Sequence, residues 1–247
     1  MIKTTIKNER LIAHKTECLV IFSTEEKNPS GKLAELDTKL NGIIKSSFKN
    51  KRFQGKLNQT ILLNTKKPMQ AEHLLLVGLG KSIEITADKL RQAAGTAAKF
   101  AEKSNLKTVS FFIPANDPAN YISVALSESN ESFAQTVVEG SLLSLHHFDE
   151  HKQLAKDKLS RLKKITLLTS LKSQVSSLRY SASKGQKITR AVLASRDLIS
   201  QPSNIATPTY LADKAREFAK SFGMTCKVLA TGDMKRLGMG ALLGVAK

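Results

Sequence analysis

The sequence contains no tryptophan, and aromatic residues make up only 5% of it, so nothing in it resembles a platform on which unpaired bases could stack. It has two cysteines, Cys18 and Cys226, far apart in the chain, which excludes a disulfide framework. Each sits in a strand-like apolar run, so both are expected to be buried free thiols. No apolar run reaches the length a membrane-spanning helix needs. The opening residues MIKTTIKNER carry charge but no apolar core, so no secretory signal is read there and the cytoplasm is the expected location. Acidic residues are also scarce, with 21 Asp and Glu against 39 Lys and Arg, for a formal net charge of +18. Such a surface attracts polyanions, and the denser basic groups are Lys45, Lys49, Lys51 and Arg52, and Lys156, Arg161, Lys163 and Lys164. They predict at most weak, sequence-blind DNA binding through phosphates.

What is present is ordinary globular material, 41% hydrophobic and 24% charged, in a chain of 247 residues, long enough for one large domain or two. Residues 2–6 and the apolar run Cys18 to Phe22 predict two opening strands, the second buried on both faces. Leu33, Leu36, Leu40, Ile43, Ile44 and Phe48 fall on one stripe and predict a helix from Ser30 to Phe48. Strands follow at Thr60 to Leu63 and His73 to Val77, then an alanine-rich helix from Thr86 to Ser104 and a strand from Thr108 to Ile113. A Pro-punctuated loop from Pro114 to Pro118 leads to a helix from about Ser132 to Leu145, and Lys163 to Thr169 reads as the last strand of this part. The Ser-rich stretch from Ser170 to Ser183 reads as an unpatterned connector, and Ile188, Ala191, Val192, Ser195, Leu198 and Ile199 as a helix beyond it. Toward the C-terminus, Thr207 and Pro208 start a helix along Leu211, Ala215, Phe218 and Phe222 that Gly223 stops. Cys226, Val228 and Leu229 predict a short strand, and Met234 and Leu237 a further helical turn.

Two stretches invite a functional reading. Val77-Gly78-Leu79-Gly80-Lys81-Ser82 places glycines after a strand, but a phosphate loop needs a glycine where Leu75 stands, so a tight strand exit is the favoured reading. His147 and His151 are four residues apart with Asp149 and Glu150 between them, which is metal-ligand spacing if the helix continues through them.

The C-terminal stretch is the most specific part of the sequence. Arg196-Asp197-Leu198, Ser200-Gln201-Pro202-Ser203-Asn204, Thr207-Pro208-Thr209-Tyr210-Leu211-Ala212 and the run from Leu237 to Val245 resemble, in this order, the leucyl (cytosol) aminopeptidase family. Ser200 and Ser203 depart from the family's usual Asn and second Pro in that turn. The earlier Phe53-Gln54-Gly55-Lys56 loop and the Val77 to Lys81 turn are similar to the family's N-terminal domain, and His146 and His151 stand at its two Tyr positions. Aromatic packing sites refilled by imidazole are therefore favoured over a new metal site.

The resemblance implies an α/β fold. An N-terminal domain, a mixed sheet sandwiched by helices, is expected over residues 1–182. A linker helix and the truncated start of an α/β metallopeptidase domain are expected over residues 183–247. It also implies removal of N-terminal residues from peptides by two divalent metals, zinc or manganese, in a homo-hexamer. The family's metal motifs follow the point that corresponds to Lys247, so no catalytic, cofactor or metal residue is assigned and the chain alone is expected to be inactive. Asp233-Met234-Lys235 mimics one such motif but precedes the LGMGALLGV run, and Asp213, Glu217 and Asp233 match no ligand position. The alternative is a basic, nucleic-acid-binding or interaction module descended from such an enzyme.

Overall fold

A computed structural model describes residues 2–114, 132–153 and 162–245. Among the described residues six strands make one sheet: β1 (Lys3–Asn8), β2 (Thr16–Ser23), β3 (Thr60–Asn64), β4 (Ala71–Gly78), β5 (Thr108–Phe112) and β6 (Lys164–Thr169). Their order is β1-β6-β5-β2-β4-β3, with every neighbouring pair parallel except the antiparallel β3 and β4. The sheet is mixed because β3 and β4 join as a hairpin, whereas the parallel pairs need crossovers.

Residues of β2 alternate between two cores, as the two-residue period of a strand requires. Cys18, Val20 and Phe22 lie in one core with Ala93, Ala94 and Ala97 of helix α3 (Ala87–Lys103). The same core holds Val137 and Val138 of α4 (Phe133–Ser144), together with Leu178 and Ala182. Leu19 and Ile21 lie in the other core, with Leu33 and Leu36 of α1 (Gly31–Lys39) and Ile44 and Phe48 of α2 (Ile43–Lys49). Helices therefore cover both faces, and the sheet is the middle of three layers.

Several local expectations are corrected. The helix foreseen from Ser30 to Phe48 is two helices, broken by left-handed backbone at Asn41 (φ 56°) and Gly42 (φ 76°). The buried Asp37 makes the break stable: its Oδ1 accepts the N–H groups of Ile44 at 2.8 Å and Lys45 at 3.0 Å, capping α2 across the turn. The Ser-rich stretch foreseen as a connector is mostly helix, because α5 runs unbroken from Val175 to Ser200. Its buried stripe is Leu178, Ala182, Gly185 and Thr189, at helical spacing but, after Leu178, made of smaller residues that a search for large apolar side chains passes over. Gly185 is required there: a Cβ on it would come within 2.8 Å of the Gln135 carbonyl oxygen on α4.

The chain divides into two compact units between Leu193 and Ala194, on α5 and further along it than residue 182. The second unit holds the end of α5, α6 (Pro208–Phe222), α7 (Thr231–Arg236) and α8 (Gly240–Val245). Thr207 caps α6 as foreseen, accepting the Tyr210 N–H at 3.3 Å, and Gly223 ends it at φ 66°. The strand foreseen around Cys226 to Leu229 is chain without regular secondary structure or pairing among the described residues, because a strand exists only against a neighbour that takes up its backbone groups. Cys226 is accordingly exposed, against expectation, while Cys18 is buried. No described helix is long and apolar enough to cross a membrane.

Candidate functional site

Each chemically suggestive group has a definite place in the fold. The Gly-rich exit of β4 is a crossing of three backbones rather than an anion cradle. Gly78 N–H donates to the Gln59 carbonyl at 2.8 Å, Leu79 N–H to Ser23 at 2.9 Å and Gly80 N–H to Gly55 at 2.9 Å. The donors a phosphate would need are already engaged. The glycines serve the crossing: a Cβ on Gly78 would lie 2.0 Å from the Lys56 carbonyl oxygen, and one on Gly55 2.1 Å from that of Thr24.

The two histidines do not share a helical face, because α4 ends at Ser144 and the residues after it are turn and irregular chain. His147 Nε2 lies 3.1 Å from Glu102 Oε2 on α3, and His151 packs edge-on against Phe148 with ring centroids 5.7 Å apart. His151 thus makes an aromatic contact, as its correspondence to a tyrosine position suggested.

Asp233 caps the short α7 by accepting the Ala230 N–H at 3.2 Å, and it also pairs with Arg236. Asp213 pairs with Arg216 at 2.7 Å and Glu217 with Lys214 at 2.8 Å, both one turn apart along α6. Among the described residues no group of three or more His, Cys, Asp and Glu side chains comes together in a way that could hold a metal. Of the basic groups, Lys45, Lys49, Lys51 and Arg52 are exposed on and after α2, Lys163 directly precedes β6 and Lys164 begins it. Lys156 and Arg161 lie outside the described residues.

Two polar constellations were not foreseen. In the first, His14 Nδ1 lies 2.6 Å from Glu9 Oε2 and His14 Nε2 lies 2.9 Å from Ser110 Oγ. The order acid, imidazole, hydroxyl is that of a nucleophilic triad. Access decides against catalysis: Ser110 is 1% exposed and His14 2%, and Ser110 Oγ–H is donated to Thr16 Oγ1 at 3.0 Å. The arrangement instead ties the β1–β2 connection to β5. The His14 bond, opposed by partial burial, holds the Glu9 carboxyl below its ordinary range. With His14 and Ser110 separated by 96 positions, no spacing in the sequence signals this contact.

The second lies between α3 and α4. Arg91 Nε donates to Glu139 Oε2 at 2.7 Å, and Gln135 Nε2 donates to Glu139 Oε1 at 2.9 Å. Glu139 is buried, so both carboxylate oxygens are satisfied in a place where water cannot help. This pairing joins two helices and offers no open face to a substrate.

The class these elements define is an α/β protein part, a three-layer unit followed by a helical one in which Asp213, Glu217 and Asp233 each pair with a basic neighbour on their own helix. Comparison with known proteins gives the class a family. A profile of the cytosol aminopeptidase family's N-terminal domain matches residues 19–154, and one of the same family's catalytic domain matches residues 193–247. A probable cytosol aminopeptidase of Geotalea uraniireducens is 38% identical over 217 residues, 86% of this chain and 41% of that protein. One from a Geobacter species is 33% identical over 98% of this chain and 47% of its own length. The chain belongs to the cytosol aminopeptidase family, and it spans under half the length of these relatives. Among solved structures, a tomato leucine aminopeptidase mutant superposes with a TM-score of 0.77 at 22% identity, covering 96% of this chain and 46% of that one. The bottromycin maturation enzyme BotP superposes with a TM-score of 0.64 at 20% identity, over 90% of this chain and 41% of its own. These two likenesses show the fold.

Proposed function

We propose that this chain supplies the N-terminal domain and the opening elements of the catalytic domain of an aminopeptidase that removes N-terminal residues from peptides. One agreement carries the reading. The compact units meet between Leu193 and Ala194, and the catalytic-domain profile begins at residue 193. The division by packing and the division by family resemblance fall together.

The two-metal chemistry implied for the family needs several carboxylates and other donors converging on one point. The described residues do not fit that requirement: Asp213, Glu217 and Asp233 are each engaged with a neighbour on their own helix. No metal-dependent step is derived from them. The role left to residues 1–193 is that of a folded unit attached to the catalytic domain through α5, with the reacting groups supplied by the remaining part of such a domain. A cytoplasmic location belongs to the same reading and is supported by two free cysteines.

The test is a covalent fusion of this chain to the part of the Geotalea relative that follows the region it matches. The fusion is expected to hydrolyse leucine p-nitroanilide in the presence of manganese or zinc and to lose that activity with a chelator. The 247-residue chain alone is expected to show none. A folded but inactive fusion, or chelator-sensitive turnover by the chain alone, overturns the reading.

A further inference from the structure

We infer that Glu9, His14, Ser110 and Thr16 form a proton-operated clamp: His14 carries a proton on both ring nitrogens while it fastens the β1–β2 connection to β5, and giving one up unfastens the far end. The inference concerns the first unit alone and is independent of the functional reading above.

A count of hydrogens carries the argument. The chain of contacts runs from Glu9 Oε2 to His14 Nδ1 at 2.6 Å and from His14 Nε2 to Ser110 Oγ at 2.9 Å. It continues from Ser110 Oγ to Thr16 Oγ1 at 3.0 Å and from Thr16 Oγ1 to the Cys18 carbonyl oxygen at 3.4 Å. Both ends, a carboxylate and a main-chain carbonyl, can only accept. Four links therefore need four hydrogens, while Ser110, Thr16 and a neutral imidazole bring one each. Thr108 Oγ1, 3.4 Å from Thr16 Oγ1, brings one hydrogen for one further link and leaves the shortfall unchanged. A link without its hydrogen sets lone pair against lone pair, and water cannot relieve it where His14, Ser110 and Thr16 are all buried. The missing hydrogen is a second proton on the ring.

The surrounding charges place that proton on His14 and not on Glu9. Lys7 Nζ donates to Glu9 Oε1 at 3.1 Å, and the Glu9 carboxyl is held below its ordinary range, so it stays ionised. Glu17 of β2 is occupied with the N–H groups of Lys107 and Thr108, Arg10 and Lys15 are exposed, and β5 itself brings no ionisable side chain. A ring reduced to its Nδ1 proton makes Nε2 an acceptor. The Ser110 hydrogen then swings to Nε2 and the Thr16 hydrogen to Ser110, so the Cys18 carbonyl loses its bond from Thr16. That bond, at 3.4 Å, is the longest of the four, and the clamp gives way at its β2 end.

The experiment observes the 247-residue chain, labelled with nitrogen-15 in its histidines, by NMR at pH 7, where a histidine free in solution is mostly neutral. His14 is expected to show a directly bonded proton on each ring nitrogen. Thr16→Val removes the far links and leaves two links with two hydrogens, so it is expected to take one ring proton from His14 without touching the ring. Thr5→Val, which removes a hydroxyl paired with Thr166 instead, is expected to leave both. A single ring proton in the parent chain overturns the proposal whatever becomes of the variants. Two ring protons in Thr16→Val, or the loss of one in Thr5→Val, also overturns it.

Discussion

The α-carbon of Gly140 on α4 sits directly over the carbonyl of Arg91 on α3, so closely that a Cβ at position 140 would lie 2.2 Å from the Arg91 oxygen. The two helices therefore approach closely here. Gly95 reinforces it, since a Cβ there would meet the Gly140 oxygen at 3.1 Å. Backbone, unlike the end of a flexible side chain, cannot swing aside. Gly140→Ala is therefore expected to force the helices apart and to destabilise the first unit by about 1–3 kcal/mol, the usual cost of overpacking. Urea unfolding monitored by circular dichroism measures it, and a midpoint equal to that of the parent chain would show that the helices part without cost.

Beside that contact, the Arg91–Glu139 pair is expected to be strongly coupled. Arg91→Ala leaves the Glu139 carboxylate buried with Gln135 as its remaining side-chain donor, at a cost of about 3 kcal/mol. Arg91 is partly exposed, which keeps the cost from being larger, because water reaches the guanidinium. Replacing both residues, Arg91→Met with Glu139→Leu, should recover most of the loss. A double-mutant cycle that finds the two single effects simply additive would dissolve the pair.

The acid limb of stability should carry the signature of Glu9. Its carboxyl is held below the ordinary glutamate range mainly by the hydrogen bond with His14. A depressed folded-state pKa means that the contribution is present above the unfolded value and is lost as pH falls through the folded one, here from about pH 5 downwards. Glu9 is more than a third exposed, so the effect is expected to stay below about 1 kcal/mol. Glu9→Gln keeps an acceptor for His14 and removes the titration. Its stability should fall less between pH 6 and pH 3 than that of the parent, and an equal or steeper fall in the variant contradicts the assignment.

The two thiols should differ sharply. Cys18 is buried in β2, and burial pushes its pKa up to about 12, so it is expected to ignore a maleimide or aromatic disulfide reagent at pH 8. Cys226 is exposed and should react at once. Titration should count one thiol in the native chain and two in denaturant. Two fast-reacting native thiols would mean that β2 is not the buried strand described.

Much of this protein was legible in its sequence, for reasons that are local. Apolar runs such as Cys18 to Phe22 become strands because their side chains need cover on both faces, and Thr207, Pro208 and Gly223 mark the ends of α6 because capping chemistry acts within one turn. The ordered match of residues 196–245 to one family likewise survives in any reading of the chain. The tertiary structure decided what depends on distant partners. Asp37 breaks one foreseen helix into two by reaching seven residues ahead to cap α2. Leu178, Ala182, Gly185 and Thr189 make a helix out of an apparent linker because small residues gain their value only against a facing backbone. His14 and Ser110 meet because β5 lies beside β2 in the sheet. The segment from Met224 to Ala230 has the alternation of a strand and, among the described residues, no strand paired with it. Side-chain pattern is a property of the chain, whereas hydrogen-bond pairing belongs to the neighbours the fold provides.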